Sequence, residues 1–402
     1  MKPKSIISRT VWILSLVSLA TDVASEMLYP IMPVYLRHIG FSVLLIGVLE
    51  GFAEAIAGLS KGYFGRLSDG LGRRLPFVQW GYALSALSKP MMALLTTPGW
   101  VFGARSFDRL GKGLRTGARD ALLSDEATPA TKGRVFGFHR SMDTLGAVFG
   151  PLAALAYLYF YPESYRTLFL LAFAPGLLSI ALTFLIREKP ASTQAPRPPV
   201  SFFAFAHYWK RSPAAYRRLV SGLLLFALFN SSDVFLLLKI KEAGLSDTAV
   251  IGVYVFYNLI YALTAYPMGI LADRLGLGRV LLGGLALFVV VYAGMALTSN
   301  LYGFAGLFLL YGLYAAATEG VSKALIANTV ARGDTATAIG TYSGFQSLVA
   351  LSASSLTGWV WYRFGAEASL GLSAVGVVGV ILYLGLIPPK KAPALPWSTS
   401  GT

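Results

Sequence analysis

Cysteine is absent from this 402-residue chain, which rules out disulfides, thiolate metal sites and cysteine nucleophiles together. Histidine is scarce: His38, His139 and His207 stand far apart, with no His-x-x-x-His or His-x-Glu spacing on which a zinc enzyme would rest. No nucleophile and base for a membrane-embedded hydrolase are legible either, so the chain reads as no enzyme and no metal protein. Charge is also sparse. Only 13% of residues are Asp, Glu, Lys or Arg against 55% hydrophobic, a balance foreign to a water-soluble domain of this size.

What the chain has in abundance is long apolar runs. About 20 apolar residues cross the hydrocarbon core as a helix, and about twelve such segments are legible. They run over approximately 10–36, 43–64, 76–96, 99–122, 133–158, 166–186, 219–240, 247–269, 279–298, 300–324, 335–361 and 368–387. The first is too long, and too well supplied with later partners, to be a cleaved signal peptide. Residues 1–187 read as one six-helix bundle, 188–218 as a linker, 219–388 as a second bundle and 389–402 as a tail. In the linker, Pro190, Pro196, Pro198 and Pro199 alternate with polar residues. The run from Phe202 to Arg211 sets aromatics beside basic residues, which predicts a short helix at the lipid interface.

A net charge of +15 raises the question of a nucleic-acid partner, and its distribution answers it. Lys2, Lys4, Arg9, Arg73, Arg74, Lys132, Arg187, Lys210, Arg217, Arg274, Arg279 and Lys390 fall at segment ends on one side; the other side has chiefly Arg37, Lys239, Lys241 and Arg363. This positive-inside asymmetry predicts that both termini and the linker are cytoplasmic, and nucleic acid is not needed to explain it.

A glycine-acid-arginine signature occurs twice: Gly65-Arg-Leu-Ser-Asp69-Gly-Leu-Gly72-Arg73-Arg74 and Gly269-Ile-Leu-Ala-Asp273-Arg274-Leu-Gly276-Leu-Gly278-Arg279, about 204 residues apart. Each copy lies between two apolar segments, and two similar halves follow. The pattern resembles the loop signature of the major facilitator superfamily, G-x-x-x-D-R-x-G-R-R. That resemblance implies an all-α membrane fold of twelve helices in two pseudo-symmetric bundles, a secondary transporter and a monomer. Asp69 and Asp273 are expected to act as charge latches, a carboxylate near a helix N-terminus facing arginines. The first copy has Gly70 where the second keeps Arg274.

Charge inside the apolar segments is concentrated in the first half. Asp22 and Glu26 lie on the first segment, Glu50 and Glu54 on the second, Lys89 on the third, Arg105, Asp108, Arg109 and Lys112 on the fourth, Arg140 and Asp143 on the fifth. An ionisable group near the bilayer midplane costs about 2.5–3.5 kcal/mol on insertion scales, so these groups must pair or face a cavity. Asp22/Glu26 and Glu50/Glu54 are i,i+4 pairs whose like charges repel unless one is protonated or a cation intervenes. These acids, with Asp108 and Asp143, are the proton-coupling candidates; Glu26, Glu54 and Arg105 are expected near one cavity. Much of the network also reads as salt bridges holding helices.

Lys89, Arg105, Arg109, Lys112 and Arg140, with Asn230, Asp233 and Glu319 in the second half, are the candidates for substrate binding or gating. Glu319 and Lys323, at i,i+4, predict a local ion pair. Arg105 matches an arginine that the superfamily commonly carries on its fourth helix, although its neighbours differ. On the fifth segment Gly137, Gly146 and Gly150-Pro151 reproduce most of the spacing G-x8-G-x3-G-P-x2-G-G that is similar to antiporters, with Ala154 and Leu155 in place of the last glycines. Such glycines permit close helix approach, and Gly-Pro is expected to bend the helix where the bundles meet.

The resemblance implies proton-coupled efflux of a small molecule by alternating access, with a proton gradient as energy source and no cofactor. It also implies a multi-pass protein of the bacterial inner membrane. An uncoupled facilitator or importer, or a lipid-handling protein of the same fold, stays open.

Overall fold

The computed structural model describes residues 7–29, 31–41, 43–188, 204–245 and 247–386, and these are helical with no strand. In chain order the helices are α1 (Arg9–Glu26), α2 (Met32–His38), α3 (Val43–Leu71), α4 (Leu75–Leu94), α5 (Pro98–Asp125), α6 (Lys132–Phe160) and α7 (Tyr165–Thr183). The second half has α8 (Ala204–Arg211), α9 (Ala214–Phe229), α10 (Val234–Glu242), α11 (Asp247–Leu275), α12 (Leu277–Leu297), α13 (Leu301–Asn328) and α14 (Thr335–Gly385). These form two bundles of six crossings, the first from α1 to α7 and the second from α9 to α14.

Four crossings differ from the uniform spans that hydropathy predicts. The first segment divides into α1 and α2, and the pseudo-equivalent 219–240 divides into α9 and α10 at almost the corresponding place. The segments 335–361 and 368–387 are joined without a loop: α14 runs through both and turns at Gly365, whose φ of 88° is open to glycine and strained for other residues. The run 202–211 contains α8, an eight-residue helix whose Trp209 packs on Tyr216 and Phe345. Pro190, Pro196, Pro198, Pro199 and the tail from 389 lie outside the described residues.

Among the described residues six helical stretches are long and apolar enough to cross a membrane: Lys132–Phe160, Tyr165–Thr183, Gly252–Leu275, Leu277–Leu297, Leu301–Asn328 and Arg332–Gly385. Helices α1, α4 and α5 are not among them, because Asp22, Glu26, Lys89 and the charged stripe of α5 lower their hydropathy. Side chains such as Trp80, Tyr159, Phe160, Phe184, Leu297 and Tyr302 are exposed on the outside, as a bilayer solvent permits and water does not.

The apolar core has three parts, and their distribution shows how the bundles meet. One cluster joins both halves at the end that carries the loop signatures: Val17, Tyr82 and Phe136 pack with Tyr216, Val321 and Ile339. At the opposite end each half has its own core, Tyr35, Met92 and Phe169 in the first and Phe288, Tyr292 and Phe308 in the second. The bundles therefore close on one another at the signature end and keep separate cores at the other.

Two pseudo-symmetric seams make that closure, α3 against α14 and α6 against α11. A side chain at Gly65 would collide with the carbonyl of Ala336, and one at Gly269 with the carbonyl of Gly133. The first glycine of each signature thus lets one backbone lie directly on the other bundle's backbone.

Candidate functional site

The functional groups are stacked along the seams from the closed end toward the open one. Outermost are the two latches. Asp69 Oδ2 accepts hydrogen bonds from the Thr337 N–H (2.7 Å) and hydroxyl (2.9 Å), in the first turn of α14. Asp273 accepts from the N–H groups of Gly133 (2.8 Å) and Arg134 (3.0 Å), in the first turn of α6. Each aspartate therefore caps a helix of the opposite bundle, satisfying donors that a helix start leaves open and meeting its positive dipole end.

The arginine component is less symmetric than the motif. Arg74 bonds Asp69 at 3.0 Å, pairs with Asp125 and donates to the Arg332 carbonyl at 2.9 Å. In the second copy Arg134 of α6 stands 3.4 Å from Asp273, while Arg274 and Arg279 are exposed. The arginine expected from the motif is supplied by another helix. Burial pushes the Asp69 carboxyl up to about 6, outweighing the Arg74 charge and the Thr337 bonds that favour its ionised form.

One layer deeper, Asp120 of α5, fully buried, pairs with Arg119 beside it (2.9 Å) and with Lys323 of α13 (2.8 Å). Asp120 and Lys323 are pseudo-equivalent positions, just before Ala121-Leu122 and Ala324-Leu325. Such a pair meets itself only beside the pseudo-symmetry axis, so this bridge marks the centre of the molecule. Glu319 lies 3.7 Å from Arg140 of α6. The local Glu319–Lys323 pair that their spacing suggested is therefore not formed: both residues turn their charges to the other bundle, where deeper partners wait.

Arg140 holds Asp143 at 2.6 Å and donates to the Tyr261 hydroxyl of α11 at 2.5 Å. Asp143 also accepts from Ser18 at 2.5 Å, and its carboxyl is hydrogen-bonded to that of Asp22 on α1. Two like charges in such contact repel unless a proton or a cation comes between them. Asp22 thus finds its partner across the helix packing and not in Glu26, its i,i+4 neighbour.

The antiporter-type motif explains this approach. A side chain at Gly146 would strike Asp22 and Leu19, and one at Gly150 would strike Val23 and Met27, whereas Gly137 faces Ala265 and Gly269 of α11. The motif therefore serves two contacts. Its first glycine lies on the seam; the Gly146 to Pro151 part lies on α1 of the same bundle and not, as expected, where the bundles meet.

Beyond this layer the charges reach water. Glu54 and Lys112, at mid-helix positions, are exposed; Glu54 is 3.9 Å from Arg109, and Lys112 acts on both Glu54 and Glu26. Exposed charge at that depth marks a solvated cavity between the bundles. Arg105 acts on Glu54 as well. It is buried with Lys89 inside the first bundle, where a small cavity touches Ser25, Ser88 and Asp108, and Asp108 takes Lys89 at 2.7 Å and Arg105 at 3.7 Å. The Glu50 side chain lies outside the described residues.

In the second bundle Asp233 accepts a hydrogen bond from Tyr311 at 2.6 Å, and Asn230 ends α9. Around them stand Tyr257, Tyr261, Tyr292 and Tyr314. Residue-type scanning passed over these tyrosines and Asp120. The signals were present: Tyr254, Tyr257 and Tyr261 at 3–4 spacing, and the α5 stripe continuing past Lys112 through Arg115, Thr116 and Arg119 to Asp120.

The chain matches the Major Facilitator Superfamily profile over residues 14–257 and 235–400. It belongs to that superfamily. An uncharacterized MFS-type transporter of Methanocaldococcus jannaschii is 30% identical over 386 residues, covering 94% of this chain and 95% of its own. The multidrug resistance protein MdtG of Enterobacter lignolyticus is 28% identical over 200 residues, 48% of this chain and 46% of its own. Among solved structures, the human organic anion transporter MFSD10 superposes with a TM-score of 0.78 at 17% identity, covering 94% of this chain and 99% of the other. The MFS transporter FucP in its outward conformation gives 0.72 at 12% identity, covering 95% and 99%. This superfamily member is an integral membrane transporter of small molecules and not an enzyme.

Proposed function

We propose that the protein exports a small molecule in exchange for protons by alternating access. The carrying observation is the Asp22–Asp143 carboxyl pair, whose second member is tied through Arg140 to Glu319 and Tyr261 of the opposite bundle. Loading or losing a proton between the two carboxyls changes the charge that Arg140 must balance, and Arg140 spans the seam. Proton occupancy and bundle closure are thereby coupled through one guanidinium. Glu26 and Glu54 face the cavity and connect this pair to water; Lys112 and Arg109 meet the substrate there.

Export is supported by the Gly137–Gly146–Gly150–Pro151 spacing and by the half-chain likeness to multidrug resistance proteins. The basic latch end and both termini face the cytoplasm by the positive-inside rule, and the working unit is a monomer in the plasma membrane with no cofactor. Rocking then opens the latches and exposes the cavity inward.

The test uses proteoliposomes with an imposed proton gradient and a lumenal pH dye, challenged with anionic, cationic and neutral compounds. One charge class should dissipate the gradient, and Asp22→Asn and Asp143→Asn should lose that response while remaining folded. Unchanged proton movement in both variants would remove the pair from the mechanism. Solute counterflow without proton movement would make the protein a facilitator.

A further inference from the structure

We propose that the break between α9 and α10 is a binding site for sodium, held by Asp233 and a ring of neutral oxygens. Among the described residues the break leaves a carboxylate without a cation. Asp233 receives one hydrogen bond, from Tyr311, and among the described residues the one other charge acting on it is that of Glu319, an acid. Asp22, Asp108, Asp120 and Asp143 each have a basic or carboxyl partner, and Asp233 stands apart from them.

The oxygens around it are unsatisfied. Asn230 Oδ1, Ser231 Oγ and the Tyr292 hydroxyl are buried without a hydrogen-bond partner, and Ser231 and Tyr292 are 4% and 0% exposed. Tyr292 sits against both Ser231 and Tyr311, and Tyr311 bonds Asp233, which sets the Ser231 and Tyr292 hydroxyls beside that carboxylate. Buried polar atoms seldom lack partners, and each such atom costs free energy unless something bonds to it. The break adds a further acceptor surface: the last helical bond of α9 is donated by Asn230 to Phe226, so the electronegative C-terminal end of α9 opens at this point. Interrupted helices of membrane transporters offer cation sites for this reason.

The ligand class follows from charge and donor type. The groups are all hard oxygens, with one carboxylate and neither thiolate nor imidazole, which suits a small hard cation of single charge. A divalent ion would require more acids than one; among the described residues no cluster of three or more metal-ligating acids or histidines exists. Sodium here would neutralise Asp233, engage Ser231 and Tyr292, and join the two halves of a broken crossing.

Purified full-length protein in nanodiscs decides this by radiolabelled sodium binding and by melting temperature, with choline chloride holding ionic strength constant. A single saturable class of sodium sites and a saturable rise in Tm above that in choline are expected. Asp233→Asn should lose both, and Ser231→Ala should weaken binding while keeping the fold if Asp233→Asn does not fold. A wild-type Tm that sodium raises no more than choline does, or sodium binding that survives Asp233→Asn, would overturn the site. A transition that follows pH and ignores sodium would make Asp233 a proton site and overturn it equally. No substrate or transport is involved, so the outcome is separate from that of the proton-export test.

Discussion

The two halves share one fold and fill it differently. In the first bundle the helices facing the centre carry Asp22, Glu26, Glu54, Arg109, Lys112, Arg119, Asp120, Arg140 and Asp143, of which Glu54, Arg109, Arg119, Asp120, Arg140 and Asp143 make contacts at 2.5–3.9 Å. The pseudo-equivalent region of the second bundle has Asp233, Glu319 and Lys323 among stacked and edge-on tyrosines, with Tyr257 and Tyr311 centred 4.9 Å apart. Ring packing there is non-ionic and costs no charge desolvation. One half therefore concentrates ionisable groups at the centre, and the other lines the corresponding region with neutral rings. Glu319 and Lys323, two charges of the second half at the seam, are both committed to partners in the first.

The largest expected effect breaks this division directly. Asp22→Asn or Asp143→Asn should abolish proton coupling, while Asp233→Asn in the other half should leave it in place; lumenal pH traces compare the three. Loss of coupling in Asp233→Asn would mean that both halves carry protons. Next comes the axial bridge. Asp120→Asn leaves Lys323 facing Arg119 without its carboxylate and should destabilise the protein by about 3–5 kcal/mol, read from thermal unfolding. Adding Lys323→Met should recover most of that loss, because the uncompensated charge goes with it.

The seams should respond alike although the halves differ. Gly65→Val and Gly269→Val each set a side chain against a carbonyl of the opposite bundle, so both should shift spin-label distances across the signature end toward separation. A shift in one alone would break the pseudo-symmetry of closure. A smaller effect concerns pH. The closed state holds the Asp69 carboxyl at about 6 against an ordinary value of 3.8, so it binds that proton more tightly than an opened, solvated state. Closure gains from this group in full below 3.8, and the gain is lost as pH rises through about 6. The same distances should show closure favoured by up to ~100-fold toward acid, and Asp69→Asn should flatten the dependence. Smallest of all, Arg274→Ala and Arg279→Ala should change Tm by the equivalent of no more than about 0.5 kcal/mol, whereas Arg74→Ala should exceed it, since Arg74 alone among these is buried in a latch.

The crossings and the duplicated halves were legible because they rest on local properties. Apolar length sets a spanning helix, and Gly65, Asp69 and Gly72 recur intact at Gly269, Asp273 and Gly276. The motif also located the latch acids, whose role as helix caps depends on a carboxylate at that point in the chain. Partner choice was not local. Spacing paired Glu319 with Lys323 and Asp22 with Glu26, and in each case the fold offered a better partner on another helix, Arg140, Asp120 and Asp143. A motif arginine, Arg274, gave way to Arg134 for the same reason.

Composition, hydropathy and repetition thus determined that this chain is a two-bundle membrane protein, since each acts within one helix or between identical copies of a short pattern. Only the tertiary structure decided which charges meet, which face water, and where an acid is left among unbonded oxygens. In a low-dielectric interior a charge takes the partner that geometry brings within reach, and that reach is set by helix packing across more than a hundred residues of chain.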